Sequence, residues 1–80
     1  MNTAQTNSIR EHMEVLGSDG QHVGTVDHLE GKDKIKLTKT DPQSGGKHHF
    51  IPLKWVDHVD SHVHLNKSSK DAQAQWQIAA

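Results

Sequence analysis

The sequence predicts an all-β fold: a small, strongly bent sheet or barrel of five to six strands, followed by a short C-terminal helix. Three observations carry that prediction. Short segments alternate apolar and polar residues with the period of two that marks a half-buried strand. Turn residues separate them; Asp19-Gly20 is the clearest pair, because Gly accepts the positive φ that hairpin turns demand. No long helical pattern interrupts residues 9–66. Closing such a sheet into a barrel removes exposed edges, which a chain this polar must otherwise guard.

The chain divides into a flexible N-terminal tail (1–8), a β domain (9–66) and a C-terminal tail with a short helix (67–80). Residues 1–8 are polar and lack periodicity. His12–Leu16 reads as the first strand, with Met13 and Val15 on one side. His22–Glu30 reads as the second, although its apolar residues at 23, 26 and 29 break strict alternation. A spacing of three inside a strand suggests a bulge, and Gly24 is placed to allow one. Lys34–Lys39 alternates cleanly, with Ile35 and Leu37 inward. Thr40–Lys47 is a loop by its Pro, Ser and Gly content. His48–Leu53 forms the next strand. Pro52–Val56 suggests a short helical turn with Pro near its start, Asp57–Asp60 turns the chain, and Ser61–Leu65 is the last strand. Asp71–Ala79 has helical spacing at Ala72, Trp76 and Ala79, with a Ser68 or Ser69 cap. The expected core is Val23, Val26, Ile35, Leu37, Ile51, Leu53, Val56, Val59, Val63 and Leu65.

Bulk properties narrow the function classes. Eighty residues make one small domain with a thin margin of stability. Scaffolds of this size often recruit disulfides, metals or a second subunit, and with no cysteines, disulfides and thiolate metal sites are both excluded. Only 31% of residues are hydrophobic, and no run is long enough to span a bilayer as a helix. The N-terminus has neither the basic start nor the apolar core of a secretory signal. Nine Lys and Arg against ten Asp and Glu leave a net charge of -1, so no global attraction to nucleic acid or anionic lipid operates. The expectation is a cytoplasmic protein without a membrane partner. Eight histidines in 80 residues are the compositional anomaly, and mild acid turns such a chain clearly positive.

Two blocks of sequence carry a family resemblance. Val15-Leu16-Gly17-Ser18-Asp19-Gly20-Gln21-His22-Val23-Gly24-Thr25-Val26, followed by Phe50-Ile51-Pro52-Leu53-Lys54-Trp55-Val56, resembles the PRC-barrel pattern. More closely, residues 9–66 resemble the bacterial DUF2171 family through Glu11–Val15, Val23–Asp27, Ile35–Leu37, His48–Leu53, Trp55-Val56 and His62–Leu65. The resemblance implies a PRC-barrel-like bent sheet or barrel. It implies no activity, because DUF2171 has none assigned; the wider PRC-barrel group has binding roles, and fold does not fix function.

The histidines are the first candidates for chemistry, and His48–Leu65 holds five of the eight. His62 and His64 lie two apart on a strand and project from one face. His58, His48 or His49 offers a third nitrogen, and Asp57 or Asp60 an oxygen. A catalytic zinc site needs three protein ligands and an open position, with a hydrogen-bond acceptor behind each ligating His. Against that stands alternation: Val63 and Leu65 face the core, which puts His62 and His64 on the solvated side. Histidines that are exposed or hydrogen-bonded are the favoured reading, with no cofactor expected and His58, His62 and His64 as the weaker metal alternative.

Other chemistries find less. No serine stands out as a nucleophile beside a held histidine, so no catalytic residue is expected. Gly45-Gly46-Lys47 lacks the spacing and the following Ser or Thr of a phosphate loop. Lys32, Lys34, Lys36 and Lys39 form a local basic stripe, but single-strand binding wants exposed aromatics beside it. Only Phe50, Trp55 and Trp76 exist, and the first two sit in core-like segments. A solvated lysine face is favoured over nucleic acid. The leading expectation is a non-catalytic domain that works through protein contact, as a homo-oligomer or with a protein partner, with Trp55 and Trp76 as contact anchors. The alternative is a histidine-based metal-binding or pH-sensing protein. Partner, pathway and ligand are not written in the sequence.

Overall fold

In a computed structural model, described over residues 9–31 and 33–78, short strands wrap one core. They are β1 (Glu14–Leu16), β2 (His22–Glu30), β3 (Lys34–Leu37), β4 (His49–Pro52), β5 (Val56–Val59), β6 (Val63–Leu65) and a two-residue β7 (Gln77–Ile78). One helix, α1 (Ser69–Gln75), precedes β7. The sheet order is β5-β6-β1-β2-β3-β4-β7. The expected N-terminal tail, residues 1–8, lies outside the described residues.

The sheet is mixed and stays open. β1 pairs with β6 in parallel, and every other pair is antiparallel. The parallel pair brings the first strand beside the sixth. Closure does not follow, because β5 and β7 stand at opposite ends of the order. The barrel alternative is therefore corrected to an open sheet.

β2 shows why the 23–26–29 spacing defeated simple alternation. Val15 opposes Gly24 while Leu16 opposes His22, so Val23 is an extra residue against β1. Val26 opposes Leu37 while His28 opposes Lys36, so Asp27 is an extra residue against β3. Two bulges bend the strand and increase its twist, and they let Val23, Gly24 and Val26 all face inward. The bulge expected at Gly24 thus falls on either side of it. Leu29, beyond the second bulge, is exposed.

Val15, Val23, Val26, Ile35, Leu37, Ile51, Val63 and Leu65 are almost wholly buried. Each such aliphatic side chain contributes about 1.5–3 kcal/mol relative to exposure. Ile9, Trp55 and Ala72 complete the core, and Met13, Leu53, Val56, Val59 and Trp76 pack around it. Of the expected core residues, Leu53, Val56 and Val59 are only half-buried, because they lie on the turn and edge strand that flank the core rather than under the sheet.

The C-terminal helix differs from the expected Asp71–Ala79. Ser68 caps it, its Oγ accepting from the Asp71 N–H at 3.1 Å. It ends at Gln75, and Trp76 is extended. A helix this short is marginal alone, whereas Gln77 and Ile78 find pairing partners in Phe50 and His49 on β4. The sheet edge therefore takes the segment that helical spacing alone assigned to α1. The short turn after Pro52 is as expected, a 3-10 turn at Leu53–Trp55.

Candidate functional site

The histidines sort into separate clusters, and the first is built by an irregularity in β5. Val56 opposes Leu65, yet His58 opposes His64 and Val59 opposes Val63, so Asp57 is an extra residue. Without it His58 would face Val63 across the ladder. The bulge instead sets His58 directly opposite His64, where cross-strand side chains share one face. Their rings stack at 4.2 Å between centroids and 9° between planes.

Carboxylates hold this pair. His58 Nδ1 lies 2.9 Å from Asp57 Oδ2, and His64 Nε2 lies 2.9 Å from Asp60 Oδ1. The same Asp60 oxygen accepts from the His62 N–H at 2.8 Å, closing a turn between β5 and β6. Those contacts, the backbone one first, hold the Asp60 carboxyl below its ordinary range. Ligand atoms of His58, Asp60 and His64 all lie within 4.8 Å of one another. A shallow cleft of about 330 Å³ adjoins them, its walls including His58, His64, Ser18 and Asn66.

Of the weaker metal set read from the sequence, His58 and His64 converge and His62 does not. The His62 ring stands edge-on to His64, 81° away and 6.0 Å between centroids. Its Nε2 lies 3.4 Å from Glu14 Oε1 on β1. Alternation correctly put His62 and His64 on the outer side, but the turn before β6 rotates His62 toward β1. Asp60 stands in its place.

A second cluster escaped sequence reading. His22 on β2 meets Glu14 Oε2 through Nδ1 at 2.8 Å and Asp41 Oδ2 through Nε2 at 2.7 Å. Asp41 is buried, 7% exposed, and also accepts from the Thr25 hydroxyl at 2.6 Å and the Gln43 N–H at 2.8 Å. Burial works against charge on both groups, and the hydrogen bonds outweigh it. The net result raises His22 and lowers Asp41 from their ordinary values. With a carboxylate at each ring nitrogen, His22 ties the strands to the loop and keeps its proton to higher pH than an ordinary imidazole. The sequence separation of 19 residues between His22 and Asp41 hides it from local patterns.

Three further histidines, His49, His48 and His28, make contacts within the chain. His49 is 4% exposed and stacks on Trp76 at 3.9 Å. Among the described residues its Nδ1 has no hydrogen-bond partner. Burial first, then the charges of Lys47 and His48, lower its pKa. His48 Nδ1 donates to the Leu37 carbonyl at 3.1 Å, and His28 lies 3.0 Å from Glu30.

The two tryptophans expected as contact anchors are both engaged within the chain. Trp55 is in the core, 8% exposed, because the 3-10 turn folds its indole inward. Lys67 Nζ stands 5.2 Å above its ring. Trp76 is half-buried and packs on His49 and the core. In the lysine stripe, Lys32 lies outside the described residues, Lys34 and Lys36 sit on β3, and Lys39 is exposed in the loop. Lys34 Nζ caps the Phe50 ring at 5.6 Å.

These features define a small, mostly β domain with an open mixed sheet and one short helix, carrying two carboxylate-bound histidine clusters on its surface. Residues 9–73 match the family described as "Uncharacterized protein conserved in bacteria (DUF2171)", and the chain belongs to that family. No curated protein matches the chain. Among the described residues, no helix is long and apolar enough to cross a membrane.

Proposed function

We propose that this chain is a small, non-catalytic, cytoplasmic domain that acts through protein contact and associates with a second copy of itself along β5. One observation carries the reading: β5 ends the sheet order, and among the described residues it pairs only with β6. An unpaired strand edge is a template for another strand. Val56 and Val59 are half-buried there, so a partner strand would cover apolar as well as polar surface. The opposite edge, β7, has two residues and offers little. Chain length supports the same reading, since a core this small gains from a second subunit.

The non-catalytic part is supported at His22 and His49, which are closed to a substrate. Both nitrogens of His22 are taken by carboxylates, and His49 is shut under Trp76. A general base needs a free nitrogen within reach of a substrate. Gel filtration with light scattering across the micromolar range is expected to give a dimer mass, with hydrogen exchange at Val56–Val59 slowing as concentration rises. A monomer mass throughout, with exchange independent of concentration, rules the reading out.

A further inference from the structure

We propose that His58, Asp60 and His64 bind a single divalent transition-metal ion of the zinc type. Two imidazole nitrogens and one carboxylate oxygen suit Zn²⁺, Ni²⁺, Co²⁺ or Cu²⁺ better than the hard, all-oxygen ions. Three protein ligands leave one position of a tetrahedral ion open, to be filled by water.

Four features beyond residue type support this. The Asp57 bulge is what brings His58 opposite His64; a regular ladder would have separated them. Asp57 then engages His58 Nδ1 at 2.9 Å, fixing the proton there and leaving Nε2 bare, which is the carboxylate–histidine support that metal ligands ordinarily have. Asp60 Oδ1 is already positioned by the His62 N–H, so its orientation does not depend on an ion. The adjoining cleft has room for the water ligands an ion with three protein donors keeps.

Occupation needs two adjustments: the proton by which His64 Nε2 meets Asp60 Oδ1 is released to solvent as an ion takes its place, and the rings must be re-aimed. The rings now lie nearly parallel, whereas two imidazoles on one ion must aim their lone pairs at a common point. Ligand atoms on a tetrahedral ion, with bonds of about 2.0–2.1 Å, stand about 3.4 Å apart, against a present envelope of 4.8 Å. The His58 side chain is 52% exposed, so its ring can swing inward without disturbing the core. The ligand set lies within one chain, and although His58 stands on β5, the metal titration and the mass measurement read the two proposals separately.

Calorimetric titration of untagged protein with Zn²⁺, and visible absorption with Co²⁺, test it. The expected result is one equivalent per chain, with Co²⁺ bands of lowered coordination number. His58→Ala and His64→Ala should each weaken binding by at least tenfold, and Asp57→Asn by about tenfold through the supporting hydrogen bond. His28→Ala, remote from the cluster and paired with Glu30, should leave it unchanged. Should His64→Ala fail to fold, the exposed His58→Ala decides. Failure of the native chain to bind one equivalent, or undiminished binding in folded His58→Ala, overturns the proposal.

Discussion

His22 Nε2 stands 2.7 Å from Asp41 Oδ2, fastening the middle of the sheet to the loop that follows β3. The linkage has a definite sign. His22 keeps its proton in the folded state to higher pH than in the unfolded chain, because Glu14 and Asp41 outweigh burial. Its contribution is therefore complete below the unfolded value of about 6.5 and is lost as pH rises through the folded one. Asp41 is shifted down, so its contribution is present above the ordinary value of 3.8 and fades as pH falls through the lowered one. Between these limits both groups are charged. The urea midpoint difference between native protein and His22→Gln should be largest at about pH 5–6 and shrink as pH rises past 6.5 and through the raised folded value. A difference constant across that range would contradict the assignment.

Asp41→Ala removes the common acceptor of His22, Thr25 and the Gln43 amide. It leaves a half-buried hydroxyl and a half-buried imidazole without their partner. Charged hydrogen bonds of this kind are worth about 1.5–3 kcal/mol, and a domain of this size loses about 4–8 °C in Tm per kcal/mol. Calorimetry should show a fall of about 10 °C near pH 6, with amide exchange rising first in residues 40–47. A loss under about 2 °C would mean the network contributes little.

His49 has the opposite linkage. Burial, ahead of Lys47 and His48, lowers its pKa, so the unfolded chain takes up a proton that the folded state refuses. Stability falls as pH drops through about 6.5. Its orphaned Nδ1 adds a cost at any pH. His49→Phe keeps an aromatic ring against Trp76 and removes both penalties. A gain of about 1 kcal/mol at pH 7.5, larger at pH 5, is expected from urea unfolding. Destabilisation at both pH values would show that the pocket needs the smaller ring.

Much of the fold was legible because it is written locally. Asp19-Gly20 marks a real hairpin, with Gly20 at φ 78, and the alternation of Ile35-Leu37 and Val63-Leu65 matches their burial. The second strand was read to its boundaries, and membership of DUF2171 followed from the same residues. What escaped depends on partners. The spacing of three in β2 announces a bulge near Gly24, but which residues are extra is defined by the strand opposite, so the pattern does not identify Val23, Asp27 or the Asp57 bulge of β5. Because the Asp57 bulge pairs His58 with His64, the candidate site was only partly visible: the histidines and an oxygen from Asp57 or Asp60 are legible in the sequence, and the turning of His62 toward β1 is not. Likewise Gln77 and Ile78 follow the β4 edge rather than their own helical spacing.

Gly17 separates two kinds of glycine requirement. A Cβ there would run into the backbone nitrogen of Ser69 at the start of α1, with the Ser68 carbonyl carbon 2.8 Å away. Asp19, from the same turn, accepts from the Ser69 N–H and hydroxyl at 3.2 and 3.1 Å, so hairpin and helix are held against each other here. Gly20 is different: its φ is positive and nothing lies within 4 Å of an added Cβ. Gly17→Ala should cost about 2 kcal/mol through forced backbone separation, and Gly20→Ala about 1 kcal/mol through the left-handed conformation alone. The discriminating measurement is hydrogen exchange in Ser69–Gln75. Gly17→Ala should accelerate it selectively, whereas Gly20→Ala should change it only in step with global stability. Equal acceleration in both variants would place the docking of α1 elsewhere, on Ala72 and the Gln73 contact with the Val23 carbonyl at 3.3 Å.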